Sequence, residues 1–355
     1  MKSAWLLLTT LLLAVSLAGC GPSGEAPEEE EEAPLALETL TVEIQRRGQD
    51  AGQLLEAVRR LPEALRGALA DRGVAVEQVR LTVGSSHAAT VQALEQGGVD
   101  VAFLPAEALA GLDRSAPVVL VSGPLFRDQG EELENWNRPP EEGTSVPGRR
   151  ALICAAPTAY GENLAGRGSL TWEEVSRARW GVLGRDALEG RRAVDLWLAD
   201  HFEGSTLSDL PDTAVYADFP ALLRAAAEGE IDLFPMAADV RETWAEAWTL
   251  PPEETDARGE AGLGRTASIW EETAVVGLTE RFYDMAAAVR PGEETLADPR
   301  FAQALAEAVN ALTGEGEDAA LARAAFGTGE DGGGRYAPAP EDALSAAKRL
   351  GTLPA

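Results

Sequence analysis

Apolar residues alternate from Glu38 to Gln45, with Leu40, Val42 and Ile44 on one side, as in a half-buried strand. Leu54, Leu55, Val58, Leu61, Leu65 and Leu69 then recur at helical spacing, and Pro62 is expected to kink that helix or start a new one. Val79, Leu81 and Val83 alternate as a second strand. Ser85-Ser86 has the chemistry of a helix N-cap before Ala88–Gln96, Gly97-Gly98 stops that helix, and Val99–Leu104 reads as a buried strand ended by Pro105. Strands alternating with helices predict an α/β chain with a largely parallel sheet.

The pattern returns further along. A strand ends at Val182-Leu183, a helix is expected from about Gly190 to Asp200, a short strand at Ala214–Tyr216, a helix at Phe219–Glu228, and a strand at Ile231–Phe234 stopped by Pro235. Gln96-Gly97-Gly98-Val99-Asp100-Val101 matches Glu228-Gly229-Glu230-Ile231-Asp232-Leu233: a helix end, a Gly turn, then an apolar strand with Asp near its start. Two such copies predict two similar lobes. Residues 123–149 and 250–264 read as irregular connections. Thr273–Gly277 is expected to cross back to the first lobe, an amphipathic helix follows at Asp298–Leu312, and Gly327–Pro340 precedes a last helix at Glu341–Leu350. The predicted domains are residues 38–123 plus 268–351 for lobe one and 150–250 for lobe two.

The first residues follow another logic. Lys2 precedes a short uncharged apolar run, Ala4–Ala18, closed by Leu17-Ala18-Gly19-Cys20. The run is too short for a mature membrane span and ends in small residues, as a secretory signal does. The string Leu-Ala-Gly-Cys resembles a bacterial lipobox, which implies a signal peptide at residues 1–19, lipidation of Cys20 and an extracytoplasmic chain anchored to the bacterial membrane. Residues 20–37, with Glu28–Glu32, read as a solvated acidic tether.

Charge narrows the partners. The 355 residues hold 59 acids against 30 Lys and Arg, a net charge of −29. Nucleic acid is therefore not an expected partner. One Cys besides Cys20 excludes a disulfide framework, Cys154 in the apolar run Ala151–Ala156 reads as an inert buried thiol, and the two His stand in no metal-ligand spacing. No Gly-x-Ser-x-Gly, phosphate loop or Cys-x-x-Cys occurs, so the chain does not read as an enzyme, and no cofactor is expected.

Five segments in matching order carry a resemblance. These are Leu54–Gly73, "TVGSSHAATVQALEQGGVDVAFLP" at Thr82–Pro105, "SLTWEEVSRARWGVL" at Ser169–Leu183, "SIWEETAVVG" at Ser268–Gly277 and "RYAPAPEDALSAAKRLG" at Arg335–Gly351. Together they resemble the phosphate/phosphite/phosphonate-binding lipoproteins of ABC importers. That resemblance implies the type II periplasmic-binding-protein fold, two α/β lobes with a ligand cleft between them, an ABC permease partner and a monomeric chain. Departures occur at the ligand turns. Gly184-Arg185-Asp186-Ala187-Leu188-Glu189-Gly190 stands where the family has a Ser/Thr-rich turn, with Ala187 in place of a hydroxyl. His87 replaces an aromatic residue, Tyr216–Asp218 stands where the family has a His, and Trp270-Glu271-Glu272 replaces Pro-Asn-Asp.

In such folds ligands sit at strand C-termini and helix N-termini, where free N–H groups favour anions. Arg46 and Arg47 follow strand one, and Arg185, Arg191 and Arg192 surround the lobe-two turn; their guanidiniums suit carboxylate or phosphate. The alternative is surface pairing with Asp128, Asp186 or Glu189, the better reading for Arg192. Ser85, Ser86 and His87 are candidate contacts or a plain cap. Asp218 and Asp239 are candidates for a ligand amine or, for Asp218 above all, another cap. The predicted ligand is a small anionic solute, phosphonate- or phosphate-like. The competing class is a tethered sensor or interaction protein that kept the fold and lost transport.

Overall fold

The computed structural model describes residues 34–45, 51–112, 116–141, 145–329 and 333–353. The signal peptide, Cys20, most of the tether and Arg46 lie outside the described residues. In chain order the strands are β1 (Leu35–Gln45), β2 (Val74–Gly84), β3 (Val101–Pro105), β4 (Val118–Arg127), β5 (Ser145–Pro147), β6 (Ala151–Ala155), β7 (Trp180–Val182), β8 (Thr213–Val215), β9 (Leu233–Ala237), β10 (Ala274–Leu278), β11 (Met285–Val289) and β12 (Gly334–Pro338). They form two sheets, ordered β12-β4-β11-β3-β1-β2, with β5 on β4, and β10-β6-β9-β7-β8.

The two orders are one topology used twice. In each lobe the first strand lies between the second and the third (β2-β1-β3 and β8-β7-β9), and an antiparallel strand separates the third from the fourth. That inserted strand is always the first after a crossing: β6 enters lobe two after lobe one's β4 and β5, and β11 enters lobe one after lobe two's β10. Each lobe thus contains a strand reached only through the other. This is the two-lobed α/β fold expected from the sequence, but both sheets are mixed and not largely parallel: only β2-β1-β3 and β8-β7-β9 run parallel, because the strands inserted after each crossing enter antiparallel. Both sheets belong to one compact unit, Pro34–Ala355.

Burial follows the pattern. Leu40, Val42 and Ile44 of β1 are fully buried, and the helix Ala51–Ala70 lays Leu54, Ala57, Leu61, Leu65 and Leu69 into the same core. The central strands are apolar on both faces. Val101 and Phe103 of β3 meet one core and Ala102 and Leu104 another; Cys154 and Leu152 of β6 are likewise divided from Ile153 and Ala155. Sheets covered on both sides by helices require such continuous apolar strands.

Several expectations are corrected. Residues 274–278 do not return to lobe one; β10 pairs antiparallel with β6, Ala274 opposite Ala155, as the edge of the second sheet. The return strand is β11, between β3 and β4. Residues 35–37, assigned to the tether, already pair with Val74–Val76. Pro62 lies within one continuous helix. β9 runs through Pro235, and the Gly/Pro-rich segment before the last helix contains β12.

Two strands of chain cross between the lobes and hold each other. Arg149 and Phe282 exchange backbone hydrogen bonds, each 2.8 Å. The buried Arg150 donates to the Thr279 carbonyl (2.8 Å) and to Glu131 (2.5 Å), and Arg281 donates to Asp128. Arg149 grips both oxygens of Asp284 at 2.7 and 3.1 Å and reaches Glu189 at 3.1 Å. Donation to the Asp284 carboxylate above all holds the Arg149 guanidinium even more firmly protonated than usual.

Candidate functional site

The best-formed chemistry lies just past β7. Leu183 donates to the Gly190 carbonyl (3.0 Å), Ala187 to Gly184 (3.0 Å) and Arg192 to Ala187 (3.1 Å), so residues 183–192 fold back on themselves. A π-helical turn, Leu188–Arg192, then leads into the helix Ala193–His201. Gly190 is required here: a Cβ would stand 2.5 Å from the Leu183 side chain. The tight turn displays Arg185, Arg191 and Arg192 on the wall of a cavity of about 550 Å³.

Both lobes contribute to that cavity. Lobe one supplies Glu107, two residues past β3; lobe two supplies Asp186, Asp195, Thr206 and Ser208 beside the arginines; the C-terminal segment supplies Leu350, Gly351 and Leu353. Arg192 forks onto Glu107 at 2.5 and 3.2 Å, an ion pair that joins the lobes. The hydrogen bond from Arg192 holds the Glu107 carboxyl below its ordinary range. Asp195 is pushed up by burial, an effect opposed by the Leu207 amide, which donates to it at 2.8 Å. Arg185 and Arg191 have no ion pair or hydrogen bond among the described residues. A guanidinium stays charged at any pH of interest, so these two remain as open donors for an anion.

The other predicted residues lie elsewhere. Ser85 is exposed. Ser86 is the N-cap of the helix His87–Glu95 and accepts from Ala89 N at 3.2 Å; His87, half-buried, opens that helix. Asp218 caps the helix Phe219–Ala227, accepting from Ala221 N at 2.9 Å, on a separate open concavity with Tyr216 and Arg224. Asp239 precedes the helix Val240–Thr249 and lines a small recess with Arg127 and Arg241. All of these follow the C-terminal ends of parallel strands, as expected, yet of the described set only Arg185 lines the large cavity.

Sequence reading noticed Arg191 and Arg192 at the turn. It missed Glu107, Asp195, Thr206, Ser208 and the C-terminal wall. Glu107 stands at the end of β3 as Asp239 does at the end of β9, so the internal repeat could have pointed to it. No local signal marks Leu350 or Leu353, which tertiary packing alone brings to the cavity.

No protein-family model and no curated protein matches this chain. Solved structures do superpose loosely. PhnD1 of Prochlorococcus marinus, in complex with methylphosphonate, is 12% identical at a TM-score of 0.33, over 88% of this chain and 97% of that one. Protein Mh-p37 of Mycoplasma hyorhinis is 8% identical at 0.42, over 90% and 99%. Transferrin 1 of Manduca sexta is 13% identical at 0.46, over 88% of this chain and 46% of that one. Superpositions this loose carry no argument about ligand or activity.

Proposed function

We propose that this chain is the solute-binding component of a bacterial ABC importer and takes a small anion into the interlobe cavity. In this reading it works outside the cytoplasm, tethered by lipidated Cys20, and delivers solute to a membrane permease as a monomer. The observation that carries it is the pair Arg185 and Arg191, with no ion pair or hydrogen bond among the described residues, on a cavity of about 550 Å³ walled by both lobes. In a chain of net charge −29 most of the surface repels anions, so free guanidiniums in a recess are selective. The role is binding rather than catalysis. A phosphonate or phosphate group is one headgroup that suits such donors, and a carboxylate is another.

A thermal-shift screen over phosphate, phosphite, phosphonates, organophosphates and carboxylates tests the proposal. A ligand specific for the native state stabilises it by about 2.7 kcal/mol at a hundred times Kd. That corresponds to a rise of roughly 5 °C in melting temperature. The rise is expected to vanish in Arg185→Ala/Arg191→Ala. A screen with no hit on well-folded protein supports the second reading, a tethered sensor or interaction protein. What favours that reading is Ala187 in place of the expected hydroxyl, together with Arg192 already occupied by Glu107.

A further inference from the structure

We infer that the ligand is an extended organic anion, an acid headgroup on an apolar body, and not a bare oxyanion. The inference rests on reading the cavity as the ligand site and adds the size and polarity of its occupant. At about 30 Å³ per water, 550 Å³ holds roughly 18 waters. A phosphate ion or a one-carbon phosphonate displaces only a few of these. Such an ion leaves most of the cavity wet and its guanidiniums in high dielectric, where their attraction is weak.

The walls differ in kind. Outside the Arg192–Glu107 pair the walls carry two guanidiniums, Arg185 and Arg191, and two carboxylates, Asp186 and Asp195; Asp195 is half-buried and already takes the Leu207 amide, so the acid group is received by the forks of Arg185 and Arg191. Thr206 and Ser208, whose hydroxyls lie 2.7 Å apart, offer hydroxyl donors and acceptors beside it. Leu350 and Leu353, by contrast, extend an apolar cluster containing Ala193, Leu196 and Phe282 up to the cavity. An apolar body of several carbons is what that wall can desolvate favourably.

Isothermal titration of the protein with inorganic phosphate, hexyl phosphate and 1-hexanol separates the parts of this inference. Hexyl phosphate is expected to bind at least about tenfold more tightly than inorganic phosphate, and hexanol not measurably. Arg185→Ala/Arg191→Ala should weaken hexyl phosphate at least about tenfold. Leu353→Ser should remove most of the advantage of hexyl phosphate over phosphate. Equal affinity for the two phosphates would overturn the extended ligand while leaving the anion reading standing. Hexanol binding as tightly as hexyl phosphate, or neither phosphate binding to folded protein, would overturn the anion reading itself.

Discussion

Asp100 and Asp232 do the same work in the two lobes. The Asp100 amide donates to the Thr41 carbonyl (2.9 Å), and the Thr41 amide returns a bond to the Asp100 carboxylate (2.8 Å). The Asp232 amide donates to Arg179 (2.7 Å), and the Arg179 amide donates to the Asp232 carboxylate (3.0 Å). Each carboxylate also takes a guanidinium, Arg290 at 3.0 Å or Arg179 at 2.7 Å, and each Asp follows a glycine in the left-handed region, Gly97 at φ 75° and Gly229 at φ 76°. This likeness was legible in the sequence because short-range chemistry, a left-handed turn and a backbone-binding Asp, dictates both residue types. Burial pushes the Asp232 carboxyl up, but donors from Arg179 and Thr158 outweigh it and hold the group below its ordinary range. A depressed native value means that the stabilisation is present above about pH 4 and is lost as pH falls through that native value. Asp232→Asn is therefore expected to cost about 2 kcal/mol in urea unfolding at pH 7, with a smaller difference from wild type below about pH 4. Gly229→Ala, whose Cβ would meet the Thr158 methyl at an ordinary 3.7 Å but at a positive φ, should cost about 1 kcal/mol in the same assay.

At the scale of elements, helices and central strands were readable and edges were not. Nothing in Ala274–Leu278 says which sheet it completes, because an edge strand's alternation is satisfied by either; its pairing with β6 is decided by where the chain crosses. Pro235 reads as a stop in the sequence, yet β7 pairs with β9 only at Leu233, so beyond that residue one side of β9 needs no donor. Arg241 joins elements that no periodicity connects. Its guanidinium is buried and donates to the carbonyls of Trp136 (2.6 Å) and Thr273 (3.0 Å), tying the helix Val240–Thr249 to the crossing segment and to the start of β10. Burial makes its proton easier to lose than usual, without a carboxylate to oppose that. Arg241→Met should destabilise by about 2 kcal/mol, since buried carbonyls lose their donors while a desolvated charge is relieved. Arg241→Lys should recover only part of the loss, because an ammonium cannot span both carbonyls; chemical denaturation of the pair measures this.

Across the whole molecule, the lobes are joined by more than the two crossings. Arg127 meets Glu242 at 3.1 Å and Arg192 meets Glu107, both between lobes. The short C-terminal helix, Ser345–Leu350, pairs Arg349 with Asp200 at 3.0 Å and buries Leu350 against Ala193 and Leu196. Leu350→Asp should therefore speed amide exchange in residues 345–353 and in the helix Ala193–His201, while the helix Ala51–Ala70, in the lobe-one core, keeps its protection. Lobe number and strand–helix alternation could be read from the sequence, being local and periodic. The cavity could not, because it depends on which helix ends meet after both lobes have folded. The measurement that bears most directly on that cavity is hydrogen exchange with and without the tightest-binding anion of the screen. New protection is expected at residues 183–195, at the helix Ala106–Ala110 and at residues 345–353. Protection confined to the helix His87–Glu95 and the helix Phe219–Ala227, with residues 183–195 unchanged, would contradict it.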